Sequence, residues 1–249
     1  MIEIPIKTKE EIEIMARAGK ILALILNEIK KEVKPGVILS FLNDKANELI
    51  KKNNVKPAFL GHEGYPATLC TSINDVVVHG LPNDYILKEG DILSLDIGIE
   101  YQGYFSDMAI TLPIGKVDDE KARLIRVTKK ALKRGIKKMT PWNTLGDVSN
   151  TMQRYIEKRG FAVIKELCGH GIGKDLHEPP EILNYGERKT GPALKEGMVL
   201  CIEPMVSMGN GKIKQNPDRF SFATQDGSVA SHFEHTVLIV KDGARVLTE

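Results

Sequence analysis

Two decapeptides constrain this chain more than any other feature: LKEGDILSLD at residues 87–96 and LKEGMVLCIE at residues 194–203. Each opens on the same Leu-Lys-Glu-Gly turn, continues as an apolar strand and ends on an acid, Asp96 or Glu203. A slide of 106 positions also sets Pro35 on Pro141, Leu39 on Leu145 and Ile50 on Ile156. Each half then reads helix, proline break, helix, short strands, His-Gly, turn, strand and carboxylate, the pattern of a tandem duplication. No Ser/Gly-rich linker divides the halves. The expectation is a single domain over residues 1–249, with pseudo-repeats at roughly 1–116 and 117–249.

Local signals fill in the elements. Thr8 and Glu11 have the spacing of a capping box, and apolar residues at three- and four-residue intervals carry a long helix to Pro35-Gly36. Ser40 is the expected cap of a second helix ending near Lys52. Residues 56–67, rich in turn formers and aromatics, read as a surface loop. Short strands are expected at 68–72 and 76–78, a hairpin over 92–112, and helices over 118–138 and 144–158. A hairpin turn centred on Tyr101-Gln102 would set Asp96 directly opposite Asp107.

Charge excludes some partners. The 35 Lys+Arg nearly balance 33 Asp+Glu, and a net charge of +2 gives no support to a nucleic-acid or membrane-surface partner. The start, MIEIPIKTKEEIEIM, lacks a signal-peptide pattern, and the longest apolar run, ILALIL, is far short of a membrane span. Cys70, Cys168 and Cys201 are too scattered for a disulfide framework and read as reduced thiols of an intracellular protein.

The chemistry lies in the acids. Asp96 and Asp107 on one apolar hairpin are either solvated on a surface or, if buried, mutually repulsive unless a proton or cation intervenes. Glu203 leaves the run VLCI and Glu234 sits in HFEHTVLIV, so the second half presents the same problem. Two divalent cations would balance four carboxylates. His170, in CGHGIG, is the natural nitrogen ligand, and carboxylates with one imidazole favour Mn, Fe(II), Co or Zn. Paired ions that acidify a shared water make hydrolysis the expected reaction class. His79 in VVVHGLP and His177 in GKDLHEPP stand on turn-like segments as candidate acids or bases, whereas His62, His232 and His235 read as structural.

Taken in order, VVVHG, LDIG with YFSDMAIT, GHGIGKDLHE, CIEP and FEHTVLI resemble the signature segments of the methionine aminopeptidases, type I form, over nearly the whole chain. The resemblance implies an α+β pita-bread fold: a curved, mainly antiparallel sheet flanked by helices, with pseudo-two-fold symmetry between its halves. It implies that Asp96 chelates one ion, that Asp107 and Glu234 bridge both, and that His170 with Glu203 holds the other. A bridging water or hydroxide would attack the first peptide bond of a chain beginning with methionine, with Glu203 shuttling its proton. His79 would contact the scissile amide and His177 the carbonyl oxygen.

The resemblance also places Phe59, Tyr65, Cys70, Leu176 and Phe220 around the methionine side chain. Phe59 and Phe220 stand where some bacterial members carry cysteine and tryptophan, and His62 and Leu176 where some carry tyrosine and phenylalanine. The implied setting is the cytoplasm, with nascent polypeptides as substrate, the ribosome as a candidate partner and a monomeric enzyme. Only about thirty residues separate Glu203 from Glu234, which leaves no room for the helical insertion of the type II form. Two other readings stay open: a proline-specific peptidase of the same fold, which usually carries an additional N-terminal domain, and a noncatalytic binding module.

Overall fold

The computed structural model describes residues 4–249; residues 1–3, the start of the segment read as lacking a signal-peptide pattern, lie outside it. The first half opens with α1 (Lys9–Glu32) and α2 (Leu39–Lys52). Strands β1 (Lys56–Pro57), β2 (Cys70–Ile73), β3 (Val76–Val78), β4 (Ile92–Tyr101) and β5 (Tyr104–Pro113) follow. The second half opens with α3 (Asp119–Ile136) and α4 (Leu145–Glu157). It continues through β6 (Ala162–Val163), β7 (Cys168–Gly171), β8 (Glu178–Leu183) and β9 (Val199–Ile202). Three short strands, β10 (Met205–Ser207), β11 (Ile213–Gln215) and β12 (Phe222–Thr224), lead to β13 (Ala230–His232), β14 (Glu234–Val240) and β15 (Gly243–Val246).

One sheet joins the halves, in the order β1-β4-β5-β14-β9-β7-β8, with β2 beside β4 and β15 beside β14. The described pairings are antiparallel. Strand alternation sorts the side chains. Leu93, Leu95, Ile97 and Ile99 of β4 pack into a core with α1 and α2, while Leu200, Ile202, Val237 and Ile239 pack with α3 and α4. The intervening Ser94, Asp96, Cys201 and Glu234 therefore point to the opposite face. The sheet is buried on both sides, which is why its strands read as nearly continuous apolar runs.

Three local expectations need correction. Ser40 does not cap α2; Ile38 occupies the N-cap without a side-chain bond. The chain entering α2 instead lies along residues 83–87, and the Leu39 and Ser40 amides donate to the carbonyls of Tyr85 and Asn83 at 3.1 and 2.9 Å. Backbone acceptors thus satisfy the donors that a serine would otherwise serve. Residues 56–67 are only partly a surface loop: β1 pairs with β4, and Phe59, Tyr65 and Ala67 are buried.

The third correction concerns register. Tyr101 pairs with Tyr104 around Gln102-Gly103, both with positive φ (53° and 81°), as a two-residue type I′ turn requires. Asp96 consequently faces Ala109, and Asp107 faces Gly98. The two acids are diagonal neighbours on one face rather than directly opposed.

Helix α1 is locked at one close approach. Its capping box at Thr8 and Glu11 forms as expected, and a Cβ at Gly19 would lie 2.2 Å from the Leu247 carbonyl oxygen. Gly19→Ala is expected to lower unfolding stability by about 1–3 kcal/mol from overpacking, despite alanine's better helix propensity. A urea midpoint equal to wild type would refute this account of the contact.

Candidate active site

The sheet register converges the acids. Asp96 on β4 pairs with Ala109 on β5, and Ala109 pairs in turn with Glu234 on β14. His235 pairs with Ile202, which sets Glu234 beside Glu203 at the end of β9. The row across four strands is thus Asp96, Ala109, Glu234, Glu203, with Asp107 two residues along β5 and His170 on the neighbouring β7, opposite Cys201. Small Ala109 leaves room between the flanking acids. The backbone at Asp107 is fastened to β14: its amide donates to Thr236 Oγ1 at 3.0 Å, and the Thr236 hydroxyl donates to its carbonyl at 2.8 Å.

This placement is electrostatically costly for the protein alone. Asp96, Asp107 and Glu234 are at most 8% exposed. Asp96 Oδ1, Asp107 Oδ1 and Glu234 Oε1 have no hydrogen-bond partner. Burial first, then repulsion from Asp107 and other neighbouring acids, holds Asp96, Glu203 and Glu234 well above the carboxylate range. Burial pushes Asp107 up to about 7.

His170 identifies what is needed between these groups. Its Nδ1 lies 2.8 Å from the Gly171 carbonyl, which can only accept, so Nδ1 carries the proton. Burial depresses its pKa to about 3, leaving the ring neutral. The Nε2 lone pair therefore faces Glu203 Oε1 at 3.6 Å and Glu234 Oε1 at 3.9 Å. A lone pair aimed at two carboxylate oxygens repels them unless a proton or a cation lies between. The donors also group as three candidate metal-ligand sets, each with ligand atoms within 4.8 Å of one another: Asp96, Asp107 and Glu234; His170, Cys201 and Glu234; and Glu203, His232 and Glu234. Carboxylate oxygens with a neutral imidazole suit a hard or borderline divalent ion.

A cavity of about 330 Å³ opens at these carboxylates. Phe59, Tyr65, Cys70, Leu176 and Phe220 all line it, together with His79 and His177. The Tyr65 hydroxyl donates to the Gly80 carbonyl at 3.0 Å, and Phe220 meets the Tyr65 ring edge-on at 5.5 Å. His79 stands at φ 56°, a left-handed conformation unusual for a non-glycine residue, and burial lowers its pKa. His177 packs edge-on against His170 at 4.5 Å and His62 at 5.2 Å, and burial likewise lowers its pKa. A second, broader cleft of about 1440 Å³ reaches Asp96, His170, His177 and Glu203 from the side of β7 and β8.

The structure brings every sequence-nominated site residue to one place. His235 turns away as expected, bonded through Nδ1 to Thr248 Oγ1 at 2.9 Å. His62 and His232, read as structural, instead border the site. His232 is 2% exposed, with Nε2 3.3 Å from Glu203 Oε2. The missed signal is the alternation His232-Phe233-Glu234, which in an extended segment points both polar side chains the same way.

Comparison with known proteins decides the family. Residues 13–241 match the model of metallopeptidase family M24. A methionine aminopeptidase of Clostridium acetobutylicum is 46% identical over 98% of each chain. This chain belongs to family M24, among the methionine aminopeptidases. The crystal structure of a methionine aminopeptidase from Thermotoga maritima matches this M24 chain with a TM-score of 0.98 and 46% identity, over 99% of this chain and 100% of that one. A prolidase from Pyrococcus horikoshii matches at a TM-score of 0.78 and 25% identity, over 98% of this chain and 63% of that one. The pita-bread fold is common to them. Family M24 is a family of metallopeptidases, and the clustered acids of this member are candidates to hold its divalent metal.

The raised carboxylates fix a pH dependence for chelator-treated protein. A carboxylate with a folded pKa above its unfolded one lends stability that is complete below the unfolded value near 4 and is lost as pH rises through the folded value. For Asp107 that value is about 7. Thermal unfolding of metal-stripped protein is expected roughly 5 °C or more lower at pH 8 than at pH 5.5, with added Mn(II) reversing the loss. A flat profile over that window would contradict the burial of the four acids together.

Proposed function

We infer that this chain is a metal-dependent aminopeptidase that releases the initiator methionine from peptides and nascent polypeptides. The observation that carries the reading is four clustered carboxylates, three of them buried, and one neutral, lone-pair-presenting histidine on a cavity that Phe59, Tyr65, Leu176 and Phe220 also line. We assign two divalent ions to it, from Mn, Fe(II), Co or Zn. Asp96, Asp107 and Glu234 would hold one, and His170 and Glu203 the other, with Asp107 and Glu234 shared. Bound there, the ions would neutralise the acids, lower the pKa of a water and polarise the scissile carbonyl.

The chain's own groups divide the remaining work. The cavity would take the methionine side chain against Phe59, Tyr65, Cys70, Leu176 and Phe220, all of which line it. The substrate's free amino terminus, as the uncharged amine, would lie toward the ion site, which limits cleavage to an end residue. Glu203, ionised beside the ions, would accept the proton of the attacking water and pass it to the departing amine. His79 lies within the cavity wall to hydrogen-bond the scissile amide. His177, neutral through burial and on the cavity lining, would donate to the carbonyl oxygen as negative charge develops on it. One chain carries all these groups, so a monomer suffices. The setting we assign is the cytoplasm, with nascent chains presented by the ribosome.

A peptide panel tests the reading: Met-Ala and Met-Gly peptides against Xaa-Pro peptides, with several divalent ions and metal content measured in parallel. Release of methionine is expected; cleavage of Xaa-Pro bonds alone would reject the assignment in favour of a prolidase. Asp107→Ala is expected to bind less metal and lose about 10³-fold in kcat/KM, since several kcal/mol of charge stabilisation convert at tenfold per about 1.4 kcal/mol. His79→Ala should keep its metal and lose roughly 10²–10⁴-fold in kcat. Metal loss in the His79 variant would make that residue a ligand instead.

A further inference from the structure

The two oxygens of Glu203 face different imidazoles. Oε1 faces the lone-pair side of His170 at 3.6 Å, and Oε2 faces Nε2 of His232 at 3.3 Å. The same division holds for Glu234, whose Oε1 lies 3.9 Å from His170 and whose Oε2 lies 3.9 Å from His232. His170 has its proton committed to the Gly171 carbonyl and offers these acids no N–H. His232 differs: neither of its buried ring nitrogens has a completed hydrogen bond. No competing acceptor draws its N–H away from Glu203.

The backbone of His232 is also held in place. Its amide donates to Thr111 Oγ1 at 2.9 Å, and the Thr111 hydroxyl donates to its carbonyl at 2.7 Å. Thr111 is itself tied to Ser94 at 2.8 Å, on the strand that carries Asp96. A buried side chain on a backbone fixed to two strands of the acid row can orient a neighbour with little freedom of its own. The 3.3 Å separation is within reach of a hydrogen bond, and contacts of this kind tighten when a site is filled.

We propose that His232 is a positioning residue: its neutral imidazole donates from Nε2 to Oε2 of Glu203, turning Oε1 toward the ion that Glu203 shares with His170. The proposal rests on the metal reading given above. A carboxylate held at one oxygen cannot swing away from the ion or exchange its two oxygens freely, so both affinity and the direction of proton acceptance by Glu203 depend on His232.

The experiment compares His232→Leu, which fills the space without a donor, with His232→Gln, whose amide N–H reaches about as far as Nε2. Co(II) is titrated into metal-stripped protein by calorimetry, with its visible absorption recorded alongside. His232→Leu is expected to bind roughly 10–100-fold more weakly and to lose kcat by a similar factor with little change in KM, and His232→Gln to restore both to within about threefold of wild type. The Co(II) bands should be the same in the glutamine variant as in wild type, because His232 is not a ligand. Wild-type affinity in His232→Leu overturns the proposal. A folded glutamine variant with shifted Co(II) bands or leucine-like affinity also overturns it, by making the imidazole a direct ligand. Should the leucine variant fail to fold, His232→Asn, whose amide falls short of Glu203, takes its place: weak binding supports the proposal and wild-type binding overturns it. These binding readouts need no peptide to be cleaved, so failure to release methionine would strike the functional reading and leave this test intact.

Discussion

The mutual repulsion of four carboxylates gathered on one largely buried sheet face governs this molecule. A sheet is a suitable frame for such a group because its backbone donors and acceptors pair along the ladders, leaving the side chains as the main unsettled charges. Register then does the aiming. Asp96, Ala109, Glu234 and Glu203 form one row across four strands, and a slip of a single residue on any strand would send its acid into the helix-packed core. The apolar residues on the other face, Leu95 and Ile97 among them, oppose such a slip because it would bring them into the acidic site.

The centre of that row has a local symmetry. Met108 pairs with His235, and on either side of this pair Asp107 and Glu234 occupy matching positions on adjacent antiparallel strands. Asp96 and Glu203 match through their identical Leu-Lys-Glu-Gly turns. The halves differ in what joins the acids. In the first, a two-residue turn links β4 to β5; in the second, the long path from β9 to β14 builds β10 to β13 and brings in Phe220, Phe222 and His232. The departures from symmetry therefore supply the apolar wall and the extra imidazole, while the symmetric parts supply acids.

How much of this was legible depends on the range of the interactions involved. The capping box at Thr8, the helices and the apolar strands ending on acids are written in adjacent residues, and they form as read; a second capping box, at Thr144 with Asp147, was not read from the sequence. Asp96, Asp107, His170, Glu203 and Glu234 were identifiable because acids leaving apolar runs have few innocuous explanations. The hairpin register was missed because Tyr101-Gln102 and Gln102-Gly103 are both plausible turns, and only the preference for positive φ at both positions selects the second. Ser40 failed as a cap because its helix docks on residues distant in sequence. His232 was passed over because its partner, Glu203, arrives through strand pairing that no local pattern announces.

The two cavities explain why a site with such strong chemistry need not attack proteins at large. Gly98 is part of how the smaller one is made: a Cβ there would lie 2.9 Å from Phe59 Cε1. Lacking that Cβ, β4 allows Phe59 to lie against the strand that bears Asp96. A volume of about 330 Å³ admits one side chain with its backbone, not a chain passing through. The broader cleft leaves the acids from the other side, lined by the strands that carry His170 and Glu178. Asp96, His170, His177 and Glu203 line both, so under the proposed function the first residue would occupy the smaller cavity and the rest of the chain the broader cleft, with the bond between them beside the acids. Selectivity for a terminus would then follow from where the sheet places its charges between a small cavity and a broad cleft, with no separate gate required.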